Sequence, residues 1–244
     1  MLQAGDPPTH AACTTDGLQQ PSLPGMAAVS GHFPDGNDPP LRFQRAVDAL
    51  RAATVRPEVE LTPTRPPARL ATYAYAVTGT VQQDGAELAD GRLVLLHEPA
   101  GQGAWHGTFR LVTLVRADLE PEMAADPLLA EVGWSWLTGA LQAHGAAYEA
   151  PSGTVSRCSS HYFGGLGARP VSTTVEIRAS WTPREPEAGP DLLPHLAAWC
   201  DLLCASAGLP PATPGGGGGT GGEGPGGPGG GPVVPMPSRR GPRR

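Results

Sequence analysis

Pro170-Val171-Ser172-Thr173-Thr174-Val175-Glu176-Ile177-Arg178-Ala179-Ser180-Trp181-Thr182 alternates without a break. Val171, Thr173, Val175, Ile177, Ala179 and Trp181 fall on one side of an extended chain. Ser172, Thr174, Glu176, Arg178 and Ser180 fall on the other. A strand of this kind belongs to an antiparallel sheet with one packed and one wet face, so helices are expected over one side only.

The neighbouring segments fit that sheet. An irregular strand is expected over 153–163. The Gly164-Gly165-Leu166-Gly167 stretch between the two strands suits a hairpin rather than a dinucleotide loop, which needs strand, loop and then helix. Downstream, 191–207 reads as a helix with Leu192, Leu196, Trp199, Cys200 and Leu203 on one face and Gly208 as its stop. Upstream, three strands are expected at 70–81, 91–97 and 105–117. The first carries Tyr73, Tyr75, Val77 and Val81 inward, and Asp84-Gly85 marks a turn. The third puts Trp105, Phe109, Leu111 and Val115 on one face and Arg110 and Arg116 on the other.

A helix at 41–54 presents Phe43, Ala46, Val47, Leu50 and Ala53 together and ends before Pro57, after which Glu58–Leu61 is a short extended piece. Asp126-Pro127 reads as the start of a middle helix that runs to His144, with Gly145 as its stop. The expected class is therefore α+β. A single domain holds a mostly antiparallel five-stranded sheet and three helices in the order α-β-β-β-α-β-β-α. That order resembles the small secretion-chaperone-like fold, whose members hold partner proteins and often dimerise; the likeness is one of element order alone.

Composition bounds the rest. Of 244 residues, 34 are Gly and 29 Pro, and all 17 basic residues are Arg. Without Lys there is no Schiff base, phosphate-loop lysine or kinase ion pair. Residues 1–40 and 210–244 are rich in Gly and Pro and poor in bulky apolar side chains, so both are expected to be disordered, and Met26 stands as an alternative start. The domain at 41–209 carries 13 Arg against 18 Asp and Glu, a balance of −5 that argues against a nucleic-acid partner, the Arg cluster at 239–244 notwithstanding. Neither a membrane span nor a secretory signal is expected, which points to the cytoplasm and reduced thiols at Cys13, Cys158, Cys200 and Cys204.

The stretches Gly91-Arg-Leu-Val-Leu-Leu-His-Glu-Pro99, Trp105-His-Gly-Thr-Phe-Arg-Leu-Val-Thr-Leu-Val-Arg116, Leu119–Leu129 and Val132-Gly-Trp-Ser-Trp-Leu137 resemble an actinobacterial family, domain of unknown function 3000. The likeness runs from Phe43 to Pro210. It implies a cytoplasmic actinobacterial protein and supplies no catalytic residues.

No motif marks an active site. Gly133-Trp-Ser135-Trp-Leu137 lacks the second Gly of a nucleophile elbow and falls inside a helix. Cys158 and His161 point to opposite faces of a strand, and Cys200 lies on an apolar helix face, so no metal or other cofactor is expected. His97, Glu98 and His106, with Glu120 and Glu122, could bring imidazole and carboxylate together. Arg110 and Arg116 could pair with Glu98 or Glu176, or face an acidic ligand. The middle helix is expected to bury Leu128, Leu129, Val132, Trp136 and Ala140. Trp134 lies roughly 140° away from that stripe, on the side of Ala130 and Leu141. A second apolar stripe must be covered, either within its own chain, under the N-terminal loop or another helix, or as a partner surface centred on Trp134 and Leu141. The expected function is thus a non-enzymatic protein-binding or adaptor module whose partner is another protein or a second copy. The alternative is a small-molecule-binding protein or enzyme using the His97/Glu98/His106 region.

Overall fold

The computed structural model describes residues 39–210, so the expected disordered ends, Met26 and Cys13 lie outside the described residues, save for the bounding positions 39, 40 and 210. The elements are α1 (Leu41–Ala52), β1 (Val59–Thr64), β2 (Tyr73–Gln83), β3 (Ala86–Gln102), β4 (Gly107–Asp118), α2 (Pro121–Ala125), α3 (Leu129–Ala143), β5 (Tyr148–Ser160), β6 (Ser172–Pro183) and α4 (Leu193–Ser206). The β5–β6 connection holds one 3-10 turn at Gly164–Leu166. The six strands form one sheet in the order β1-β2-β3-β4-β6-β5, every neighbouring pair antiparallel.

The fold is α+β, as its alternating strands imply, but the sheet has six strands rather than five and there are four α-helices rather than three. The sixth strand is β1, which extends the Glu58–Leu61 piece. It pairs with β2 through Pro63 opposite Val77, and a proline is tolerated there because β1 is an edge. The fourth helix is α2, with Pro121 at its first turn, where a solvated turn was expected at Glu120 and Glu122; both acids are exposed. Asp126-Pro127 is the joint between α2 and α3 rather than the start of a helix: Asp126 Oδ1 accepts from Leu128 N at 2.8 Å, and α3 begins at Leu129. These additions break the element order on which the secretion-chaperone likeness rested.

Helix α4 is the centre of the packed side. Nine of its fourteen residues are buried, far more than a surface helix needs, because α3 lies against it on one side and β2, β3 and β4 on another. It approaches the sheet closely through two glycines. A Cβ at Gly79 would come 2.9 Å from Leu203 and Trp199, and one at Gly91 would come 2.7 Å from Leu203. Thr113, buried on the helix side of β4, accepts a bond from Trp199 Nε1 at 2.7 Å and donates to Arg92 O at 2.9 Å. Phe43, Ala46, Val47 and Leu50 of α1 close the same core.

The inward face of β6 is as the alternation requires at Val175, Ile177, Ala179 and Trp181, all buried; Val171, just before the strand, is exposed. Trp105 does not share the face of Phe109. It sits in the turn before β4, where His106 adopts φ 61°, and packs on the opposite side of the sheet with Ala71, Ala74, Val94 and Leu96. In α3 the buried line is Leu129, Gly133, Leu137 and Leu141, whereas Leu128 and Val132 are exposed and Trp136 and Ala140 flank the core. The helix is turned because Gly133 has no side chain and lets Val155 and Ile177 approach, a contact that a count of apolar side chains overlooks.

Two outcomes follow for stability. Thr113→Val should leave the Trp199 indole N–H buried and unbonded, costing about 1–3 kcal/mol in urea unfolding. His195, buried, accepts at Nδ1 from Trp181 Nε1 at 3.0 Å, and desolvation pulls its pKa from 6.5 down to about 4. The unfolded ring therefore takes a proton before the folded one does. The stabilisation is complete above pH 6.5 and is lost as the pH falls to about 4, a loss of about 3 kcal/mol. His195→Gln should remove that part of the pH slope in urea titrations.

Candidate functional site

All the long helices lie over one face of the sheet, and the other face carries the concave surface. Cross-strand register aligns Ala76, Val94, Val112, Ser180 and Ser152 in one row of that open face. It aligns Thr78, Arg92, Leu114, Arg178 and Thr154 in the next. A shallow groove of about 550 Å³ runs along these rows, floored by Val94, Val112 and Leu114, between Pro67 and Leu70 on one side and Ser152 and Thr154 on the other. Arg92 and Arg178 flank Leu114 from the two adjacent strands, about 10 Å apart by strand spacing. Arg92 donates to Arg65 O, and its Nε is buried without a partner.

Arg110, on the same face of β4, is only 6% exposed. Its NH1 donates to Ala150 O at 2.9 Å and Thr182 Oγ1 at 3.0 Å; its NH2 donates to Ser152 Oγ at 3.2 Å, Ser180 O at 3.3 Å and Ser180 Oγ at 2.8 Å. These acceptors converge because β5 bulges between Glu149 and Ser152, with Ala150 at φ 46°. Every acceptor is neutral, and no carboxylate pairs with Arg110 among the described residues. Desolvation lowers its pKa from 12.5, yet a guanidinium stays charged, so an uncompensated positive charge lies under the sheet face next to the groove.

The other expected site residues are scattered. Arg116 pairs with Glu176 across strands at 2.9 Å, one of the two pairings foreseen, and Glu176 also takes Arg178 at 2.7 Å. Arg110 pairs with neither Glu98 nor Glu176. His97 is buried on the helix side, stacked on Phe109 with ring centroids 4.1 Å apart and flanked by Phe43 and Tyr73. Its Nδ1 donates to Thr108 O at 3.0 Å, and burial lowers its pKa. Glu98 projects from the other face and accepts from Thr72 N at 3.2 Å and Thr72 Oγ1 at 2.8 Å. His106 is exposed in the turn before β4. As consecutive residues of a strand, His97 and Glu98 cannot converge.

A second concavity, about 620 Å³, is lined by His106, Thr108, Glu149, Arg184 and Glu185. Its acids are engaged. Glu185 accepts from Thr108 N at 2.7 Å, Phe109 N at 2.8 Å and Thr108 Oγ1 at 2.7 Å, tying the segment after β6 to the start of β4. Glu149 pairs with Arg184 at 3.2 Å. Ser135 Oγ donates to the Val132 carbonyl inside α3. Cys200 and Cys204 are buried in α4, where desolvation pushes their thiols up to about 12 and about 11, while Cys158 is exposed on β5.

Of the expected partner-binding pair, Leu141 is fully buried in the core and cannot meet a partner. Trp134 is half-buried and lies over Gly153 of β5, where a Cβ would come 2.7 Å from its ring. Arg92 and Ser152 carried no signal in the sequence, whereas Ser180 was read as an outward residue of the alternating strand. So was Arg178, as an outward cation.

An α+β domain with helices over one sheet face and a basic, apolar-floored groove on the other is the class that fold and site define. The chain belongs to the family described as Protein of unknown function (DUF3000), whose model matches residues 39–216. No curated protein and no solved structure matches it.

Replacing Arg110 with Leu should remove the donor to two backbone carbonyls and three hydroxyls and lower stability by roughly 3 kcal/mol. Arg110→Lys should recover only part of this, because an ammonium cannot reach five acceptors at once; thermal melts of the three proteins measure the difference.

Proposed function

We propose that the chain is a non-enzymatic binding module that seats an apolar, acidic segment of a partner protein in the groove of its open sheet face. The observation that carries this is the apolar floor of Val94, Val112 and Leu114 held between Arg92 and Arg178, within a domain whose overall balance is −5. A positive groove on an acidic body selects against basic partners and orients acidic ones. Buried Arg110 adds charge at the same face, and Arg178 shares Glu176 with Arg116, so two cations there divide one carboxylate. The groove is shallow and open, which suits a chain segment better than an enclosed small molecule. An enzyme built on His97, Glu98 and His106 has little support, since these side chains lie on two faces and a turn. A cytoplasmic setting fits the exposed free thiol of Cys158.

The test uses short fluorescein-labelled peptides alternating Leu with Asp, Leu with Lys, or Ser with Asp. The Leu/Asp peptide should bind best, weaken with salt, and lose roughly tenfold or more in affinity in the Arg92→Glu/Arg178→Glu double variant. Equal binding of the Leu/Lys peptide, or no effect of the double variant, would overturn the assignment.

A further inference from the structure

The sheet has two edges, β1 and β5. β1 carries Pro63 and Glu60, both of which discourage pairing with another strand. β5 carries neither proline nor acid from Ser152 to Ser160, and its one charge in that run, Arg157, donates to Ala124 O of α2 at 2.7 Å.

Register shows which backbone groups of β5 are free. Leu119 N donates to Thr173 O at 2.8 Å, so Thr173, Val175, Ile177 and Ala179 turn their backbone groups towards β4. Their alternates Thr174, Glu176, Arg178 and Ser180 turn towards β5, where they face Cys158, Ser156, Thr154 and Ser152. Gly153, Val155, Arg157 and Ser159 therefore direct N–H and C=O away from the sheet, and no backbone group among the described residues bonds to them there. A bare edge of this length is a template for another strand.

We infer that two copies of this chain pair antiparallel along β5, about a two-fold axis through Ser156. That centre alone maps the four outward residues onto themselves: Gly153 meets Ser159 of the second copy, and Val155 meets Arg157 of the second copy. Arg157 thus faces an apolar side chain rather than its own counterpart, so no like charges are set directly opposite each other. Trp134, half-buried over Gly153, lies beside the seam on the helix side, where an indole anchors an interface well. The surface is distinct from the groove, and the pairing stands whether or not the groove takes an acidic segment.

The full chain should sediment at twice the 25.1 kDa of one copy. Val155→Pro removes an outward N–H without touching the β5–β6 ladder and should yield folded monomer, its folding checked by circular dichroism. A second arm does not depend on proline. In a Cys13→Ser/Cys158→Ser background, Ser156→Cys should form an intersubunit disulfide under mild oxidation, since the two positions face each other at the axis. Thr154→Cys, opposite position 158 of the second copy, should not. A monomer at tens of micromolar, a dimer that survives in folded Val155→Pro, or equal cross-linking at 154 and 156 would each overturn the pairing.

Discussion

The seat of α4 on the sheet is the constraint from which the remaining architecture follows. Trp199 and Leu203 press where Gly79 and Gly91 leave no room for a side chain, and the Trp199 indole is hung on Thr113, whose hydroxyl passes the bond on to Arg92 O. Burying those two side chains contributes about 2–3 kcal/mol each, and the single polar atom they bring along is bonded. With α4 fixed at the middle strands, α3 can only lie beside it over β5, and α1 closes the remaining gap. The buried apolar side chains of the long helices thus all lie over one face of the sheet.

The other face is consequently left with little cover. Among the described residues its own small cluster, Ala74, Ala76, Val94 and Leu96, is covered by Trp105 and by Ala71 of the segment following β1, with Val112 alongside. That roof is pinned at two places: Thr72 bonds Glu98, and Arg92 bonds the Arg65 carbonyl. Arg92 thereby joins both layers, since its carbonyl receives the Thr113 hydroxyl from the core and its side chain reaches the roof. The groove begins where the roof stops, at Pro67 and Leu70.

Alternation in β6 sufficed to read the sheet, its one-sided helices and the inward line from Val175 to Trp181, because an unbroken period of two has one physical meaning. β1 was legible as extended chain but not as a strand, since Pro63 hides the pairing that an edge position permits. The face of α3 was misread by about one residue position because Gly133, invisible to an apolar count, is what lets the helix approach Val155 and Ile177. The pairing of Arg116 with Glu176 could be read from outward strand positions, whereas the burial of Arg110 could not. Its acceptors come from a bulge at Glu149–Ser152 and a residue at φ 46°, which no local pattern announces. His97 was chosen for its chemistry next to Glu98, yet strand parity sends such neighbours to opposite faces; the same parity applied to β3 would have placed it among Phe43, Tyr73 and Phe109.

β5 is where the two surfaces of this domain meet. Its even-numbered residues Ser152 and Thr154 line the groove and bond β6, and its odd-numbered residues Gly153 and Val155 face outward along the edge. A strand has no other way to serve both, because backbone direction and side-chain direction alternate together along it. Pairing about Ser156 would keep both helix layers on one side and set the two open faces side by side. The register sets Thr154 opposite position 158 of the second copy, so the two grooves lie offset along the seam, and a partner segment crossing it obliquely would meet Arg92 and Arg178 of each copy in turn. Tight binding to so shallow a groove is easier to reach by that doubling than by depth, since two weak contacts on one rigid sheet act as a single longer one.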